Sequence, residues 1–224
     1  MELYDAMRTT FAAREFTDEP VPDDVLHRIL ENARFAPSGG NRQGWKVIIV
    51  RNDETKQRLG ELCWPAMRIA AKQTQAGEVY WQSVTPTVVD EAAAAQDESL
   101  PIVVPMFKEL SRVPVVLVVA VDLRLVASMD KNLDRVGVSS GGSIYPLVWN
   151  IILSARNEGF GGALTTLLAT AEQEAQSLLG LEEHEAVAAM IPLGRPVKQL
   201  TKLSRKPVEE FAFLERADGQ PFQG

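Results

Sequence analysis

The residues best suited to chemistry cluster near the amino terminus, where Arg8-Thr9-Thr10 and Arg14-Glu15-Phe16 gather two guanidinium groups and two hydroxyls. Arginine donates paired, permanently charged hydrogen bonds, so such a group suits a phosphate or an electron-rich carbonyl. The same cations at a helix end would also offset its dipole, and the pair alone leaves both readings open. Three more elements follow in order: Ala36-Pro37-Ser38-Gly39-Gly40-Asn41-Arg42-Gln43-Gly44-Trp45, Gly159 to Thr166, and Leu203-Ser204-Arg205-Lys206-Pro207. Glycines let a backbone approach a ligand closely because no Cβ intervenes. Thr165 and Thr166 either donate to such a ligand or cap the turn that follows. Tyr80, Trp81 and Phe107 offer aromatic faces for stacking or for packing.

Other chemistries lack parts. Cys63 is the single cysteine, so no intrachain disulfide can form and nothing marks an oxidising compartment. His27 and His184 stand far apart, which leaves too few groups for a Cys/His metal site or a Ser-His-Asp triad. With 23 Lys and Arg against 30 Asp and Glu, the net charge is -7, and no basic field draws the molecule to nucleic acid or anionic lipid. An anionic ligand must therefore be held by a local group of cations. The apolar run Val113 to Val121 falls well short of the ~20 residues of a membrane span, and a cytoplasmic location is the expectation.

The elements that must position these residues follow from periodicity. Leu3 to Thr10 reads as a short helix, and a second starts near Asp23 or Asp24 and stops at Ala36-Pro37. Trp45 to Val50 reads as a buried strand, and Asp53 to Leu62 and Pro65 to Thr74 as two helices. Gln75 to Pro105 loses clear period, and residues 75–110 are expected to form a lid or an insertion. Val113 to Val121, continuously apolar and β-branched, suits a central strand covered on both faces. Gly141 to Glu158 reads as a helix without a solvent face, ended by the glycines from Gly159. Thr170 with Gln173 fits a capping box for a helix to Leu179 closed by Gly180, and Ala186 to Leu193 is the last strand. Together these predict a single α+β layered domain over 1–224, with an irregular tail from Val197.

From Tyr4 to about Phe213 the motifs, in this order, resemble the nitroreductase family. The resemblance implies a central, mostly antiparallel sheet wrapped by helices, with the long buried helix at a twofold homodimer interface and FMN between subunits. It implies that Arg8 and Arg205 hold the FMN phosphate, that Thr9 and Thr10 add hydrogen bonds, and that Arg14 faces the N1/O2 edge of the ring. Pro37, Ser38 and Asn41 would reach the flavin from the partner, and the tail at 197–224 would pack on that partner. Gly162, Ala163, Leu164, Thr165 and Thr166 would approach the flavin on its N5 side. Departures are visible: Gly44 stands where the family usually has proline, Phe11 where relatives often have arginine, and two extra residues separate Thr10 from Arg14 relative to the shortest family pattern.

The implied activity is a ping-pong transfer from NADH or NADPH, through FMN, to nitroaromatics, quinones or activated alkenes, with Tyr80, Trp81 and Phe107 on the acceptor side. No side-chain base is needed, because the cofactor carries the chemistry while the protein supplies position and charge. Two other readings share the fold. One is a flavin-binding module without turnover, motivated by the departures at Gly44 and Phe11. The other is a flavin-fragmenting or deiodinase-like branch, motivated by Thr165 and Thr166.

Overall fold

Strand β2 (Val115–Asp122) is buried along almost its whole length, and its residues divide by parity. Val115, Leu117 and Val119 enter one apolar cluster, while Val116 and Val118 enter another on the opposite face. A strand whose two faces are both covered has no reason to alternate with polar residues, which is why this antiparallel strand reads as one apolar run. The computed structural model, which describes residues 1–223, places β2 inside a four-stranded antiparallel sheet. Within it β2 pairs with β1 (Trp45–Val50) and β4 (Glu185–Gly194), and β4 pairs in turn with the short edge strand β3 (Gly161–Gly162), which gives the order β1-β2-β4-β3. The β2/β4 register jumps by one residue between Val119 and Ala120.

One face is packed by α2 (Asp23–Ala33) and α6 (Tyr145–Asn157), through Leu26, Ile29, Val148, Ile151 and Ile152. The other is packed by α3 (Asp53–Leu62), α4 (Trp64–Gln75) and α7 (Glu172–Leu179), with Leu59, Met67, Phe107, Leu168 and Ala175. Helices therefore wrap the sheet on both sides, as the sequence implied. Asn52 starts α3 by accepting the Thr55 backbone N–H at 2.9 Å. Glu2 precedes the first helix, α1 (Leu3–Thr9).

Several expectations change. Helix α2 ends at Ala33, four residues before Pro37, and Ala36 closes a turn onto the Ala33 carbonyl. The stretch Gln75 to Pro105 contains α5 (Glu91–Gln96), capped by Asp90, whose carboxylate accepts from Ala93 N at 3.0 Å. An alanine run carries no amphipathic period, so the sequence shows this helix only through its cap. The helix expected from Gly141 begins at Tyr145, after a 3-10 turn over Ser139–Ser143, and it has a solvent-facing side: Tyr145 and Trp149 are 40% and 45% exposed in the single chain. The capping box does not form. Thr170 instead donates its hydroxyl to the Leu167 carbonyl within a 3-10 turn, and α7 starts at Glu172. Glu172 turns to the sheet, accepting from the Val187 N–H at 2.7 Å. Gly180 closes α7 with φ +67°, as expected.

Candidate active site

The amino-terminal chain joins the sheet just before Arg14. Ala12 forms a parallel bridge with Gly162, and Ala13 N–H donates to the Gly162 carbonyl at 3.2 Å. A Cβ on Gly161 would lie 2.9 Å from Pro196 Cγ, and one on Gly162 would lie 2.9 Å from the Pro192 carbonyl oxygen. Both glycines thus permit close approach of the chain to itself. Beyond Gly162 the backbone stays paired with β4: Ala163 N–H donates to the Pro192 carbonyl, and Thr165 and Met190 exchange both backbone bonds at 3.0 and 2.8 Å. The segment 163–166 is in effect a continued sheet edge, held by its main chain.

That edge forms one wall of a cavity of about 660 Å³. Ala163, Leu164, Thr165, Thr166, Leu167 and Thr170 line it from the sheet side, and Met67, Ala70 and Thr74 from one face of α4. Tyr80 and Trp81 close it from the loop after α4, Val103, Val104, Met106 and Phe107 form another side, and Arg14 stands at its margin. Among the described residues Arg14 is the one permanently charged residue of the lining. It forms no ion pair among the described residues, whereas Arg28, Arg34, Arg124 and Arg195 are each held by a carboxylate. An unpaired guanidinium beside a neutral, largely apolar cavity is an electrostatic fixture for electron density that arrives with a ligand.

Of the residues expected at the site, Arg14, Ala163, Leu164, Thr165, Thr166, Tyr80, Trp81 and Phe107 converge on this cavity. Phe107 is only 2% exposed and belongs to the core cluster around Leu59 and Met67, so it forms floor more than stacking face. Gly162 lies inside the sheet, and its freedom serves packing against Pro192. Thr9 and Thr10 donate their hydroxyls to the Asp5 and Ala6 carbonyls, each at 2.7 Å, and Thr10 is buried. As donors both are engaged within α1. Arg8 is exposed, its guanidinium 5.8 Å from the Tyr4 ring centroid, and Arg205 is exposed and bonds the Ser204 carbonyl.

Pro37, Ser38 and Asn41 form an exposed to half-buried loop away from the cavity of their own chain. Asn41 takes φ +53°, Ser38 Oγ accepts from Gln43 N–H at 3.0 Å, and Gly39 N–H donates to Ser143 Oγ at 3.0 Å. The cysteine is no candidate nucleophile: burial pushes the Cys63 thiol up to about 12, so it stays protonated at neutral pH. Among the described residues no group of three or more His, Cys, Asp or Glu could hold a metal, and no helix is long and apolar enough to cross a membrane.

The family model for nitroreductases matches residues 7–195. The chain belongs to the nitroreductase family. A protein named NADH dehydrogenase from Thermus thermophilus is 28% identical over 197 residues, covering 88% of this chain and 87% of that one. Among solved structures, a BluB-like flavoprotein from Clostridium difficile superposes with a TM-score of 0.67 at 22% identity, over 96% of this chain and 100% of that one. Oxidized iodotyrosine deiodinase bound to FMN and 3-iodo-L-tyrosine superposes with a TM-score of 0.65 at 21% identity, over 92% and 96% of the two chains. The fold is that of the nitroreductase family, and its members span more than one chemistry.

Against this nitroreductase frame, sequence reasoning missed the α4 face. Met67, Ala70 and Thr74 recur at three and four residues, a spacing that also reads as core, and Met67 serves both roles. It also missed Arg156, in the last turn of α6, whose Nε donates to Thr9 Oγ1 at 3.1 Å and which has no carboxylate partner among the described residues. Nothing in the sequence brings position 156 next to position 9; only the packing of α1 against α6 does.

Proposed function

We propose that this protein is an FMN-dependent oxidoreductase that passes reducing equivalents from NADH or NADPH to a small, planar, electron-poor acceptor such as a quinone, a nitroaromatic or an activated alkene. The observation that carries the reading is the convergence of an unpaired Arg14, the main-chain edge 163–166 and the aromatic pair Tyr80 and Trp81 on one cavity. Its volume of about 660 Å³ lies in the range of small-molecule sites. When bound, the flavin would supply hydride acceptance and donation.

The residues fit that group. Arg14 would sit at the edge that gains negative charge on reduction, where a cation lowers the energy of the reduced form. Thr165 accepts from the Leu167 N–H at 3.3 Å, which leaves its hydroxyl proton for the cavity. The edge 163–166, fixed by β4, would offer backbone to the ring without moving, and Tyr80 and Trp81 would cover the opposite face and exclude water. Arg8 and Arg205, exposed and without carboxylate partners among the described residues, would hold the phosphate, with Arg156 steadying Thr9 beside Arg8.

A homodimer completes this reading. Leu3, Tyr4 and Met7 on α1, with Tyr145 and Trp149 on α6, leave large apolar side chains in solvent on neighbouring elements, the composition of an association surface. The loop Pro37 to Asn41, remote from its own cavity, would then serve the partner's flavin. Among the described residues Arg14 is the one permanent charge lining the cavity and no carboxylate joins it, which offers nothing to the ammonium of an amino-acid substrate and places deiodination behind.

The test is an absorbance spectrum of the purified protein followed by anaerobic titration with NADH and NADPH. Yellow protein that bleaches with one donor and recovers with a quinone is the expected outcome. A colourless protein that cannot be reconstituted with FMN refutes the proposal, and bleaching without turnover on any acceptor would leave a flavin-binding module.

A further inference from the structure

The aromatic cover of the cavity is held by a residue that does not line it. Gln73, in the last turn of α4, is 4% exposed, and its amide spans two parts of the following segment. Its Oε1 accepts from the Trp81 N–H at 3.1 Å, and its Nε2 donates to Glu91 Oε1 at 3.1 Å, at the start of α5. Its backbone carbonyl also accepts from Glu78 N–H at 2.9 Å. The loop between is closed a second time by Glu78, whose carboxylate accepts from Val88 N–H at 2.7 Å and Thr87 Oγ1 at 2.6 Å. The Gln73 side-chain amide thus bonds segment 78–91 at two points, Trp81 and Glu91, beside the Glu78 backbone bond and the packing of Val89 on the cluster around Ile69.

Trp81 is what that amide fixes. Its backbone takes φ +55°, a left-handed conformation that a bulky residue adopts only when its surroundings impose it. Trp81 lines two spaces, the main cavity and a smaller one of about 320 Å³ bordered by residues 81–87 of the loop. Gln73 borders the smaller space and is absent from the wall of the larger. Without the Gln73 bond nothing else among the described contacts holds the Trp81 amide, and the ring has room to fall back.

We infer that Gln73 is a positioning residue that sets acceptor affinity by fixing Trp81 as the aromatic wall of the cavity, without taking part in electron entry. This rests on the reading of the cavity as the acceptor site. The pair Gln73 and Glu91 also defines its own rescue. Exchanging them, Gln73→Glu with Glu91→Gln, keeps an acceptor for Trp81 N–H and a donor–acceptor bond between the two side chains, with roles reversed.

The experiment compares parent, Gln73→Leu and the exchanged double variant. Hydrogen exchange read by mass spectrometry on residues 78–88 reports the tie itself, with no activity needed. Steady-state kinetics with a para-quinone and a nitroaromatic, and the anaerobic rate of flavin bleaching by NADH, report the role. Gln73→Leu is expected to speed exchange in 78–88 and to raise KM for both acceptors about tenfold, with kcat and bleaching within about twofold of the parent. The exchanged variant is expected to restore both readouts. Unchanged exchange in Gln73→Leu overturns the tie. Faster exchange with unchanged KM, or a loss of bleaching as large as the rise in KM, overturns the positioning role. A parent that holds no flavin sinks the functional proposal and the acceptor role with it, and the exchange result then reports the tie alone.

Discussion

Replacing Arg14 by methionine separates its structural from its electronic role. Arg14 is exposed, follows the Ala12–Gly162 bridge and makes no ion pair among the described residues, so the folded chain loses no partner. A surface substitution of this kind changes stability by about 0.5 kcal/mol or less, and a chain of this size shifts its melting temperature by ~2 °C at most for that change. The effect on the cofactor is larger. A hydrogen bond to a charged group contributes roughly 1.5–3 kcal/mol, and in the proposed arrangement the one from Arg14 would be made fully only when the flavin edge becomes negative. Taking ~2 kcal/mol, and 30 mV for each 1.4 kcal/mol in a two-electron couple, the midpoint potential should fall by about 40 mV. Removing a cation disfavours the more negative, reduced form, so the shift is towards negative potential. Anaerobic titration against a dye of known potential measures it, and thermal melting is the control. A variant that keeps its flavin with a potential within about 10 mV of the parent refutes the placement of Arg14 at that edge. A fall in melting temperature of more than ~5 °C would assign Arg14 to the fold instead.

Three further outcomes follow from the geometry. Gly162→Ala forces a Cβ against the Pro192 carbonyl oxygen and Ile191 Cγ2, at 2.9 and 3.0 Å, and should cost about 1–3 kcal/mol in urea denaturation while disturbing the cavity wall beyond it. Arg124 and His184 hold the Asp122 carboxyl down from 3.8 to about 2, so its contribution to stability is complete above pH ~4 and fades as pH falls towards 2. The stability gap between parent and Asp122→Asn should therefore be flat above that range and close below it, and a gap that persists at the lowest pH would contradict the ion pair. Cys63, buried and with its thiol pushed up to about 12, should resist a thiol-specific disulfide reagent at pH 8 in the native state and react once on unfolding; rapid native labelling would contradict its burial.

The strands were legible because apolar runs at Trp45, Val115 and Ala186 have no other economical placement, and β2 was central because it had no polar face. Element ends were less legible. At Tyr145 and Glu172 a 3-10 turn precedes each helix, and local sequence does not distinguish its hydrogen bonds from those of an α-helix start. Thr170 is a case in point, since its hydroxyl bonds backward to Leu167 where a cap would bond forward. At the site, the chain order of motifs pointed to Arg14 and 163–166, but the α4 face and Arg156 became visible only through packing. The glycines at 161 and 162 were readable as places of close approach, while the object approached, β4 and Pro196, belongs to tertiary structure.

The wall at 163–166 is fastened by main-chain bonds to β4, and its side chains carry little of that load. Leucine 164 and threonines 165 and 166 can therefore be exchanged during descent from a common ancestor with the backbone left where it stands. A scaffold of that design lets the side chains that line the cavity change by single substitutions, with no intermediate that must first relearn how to fold.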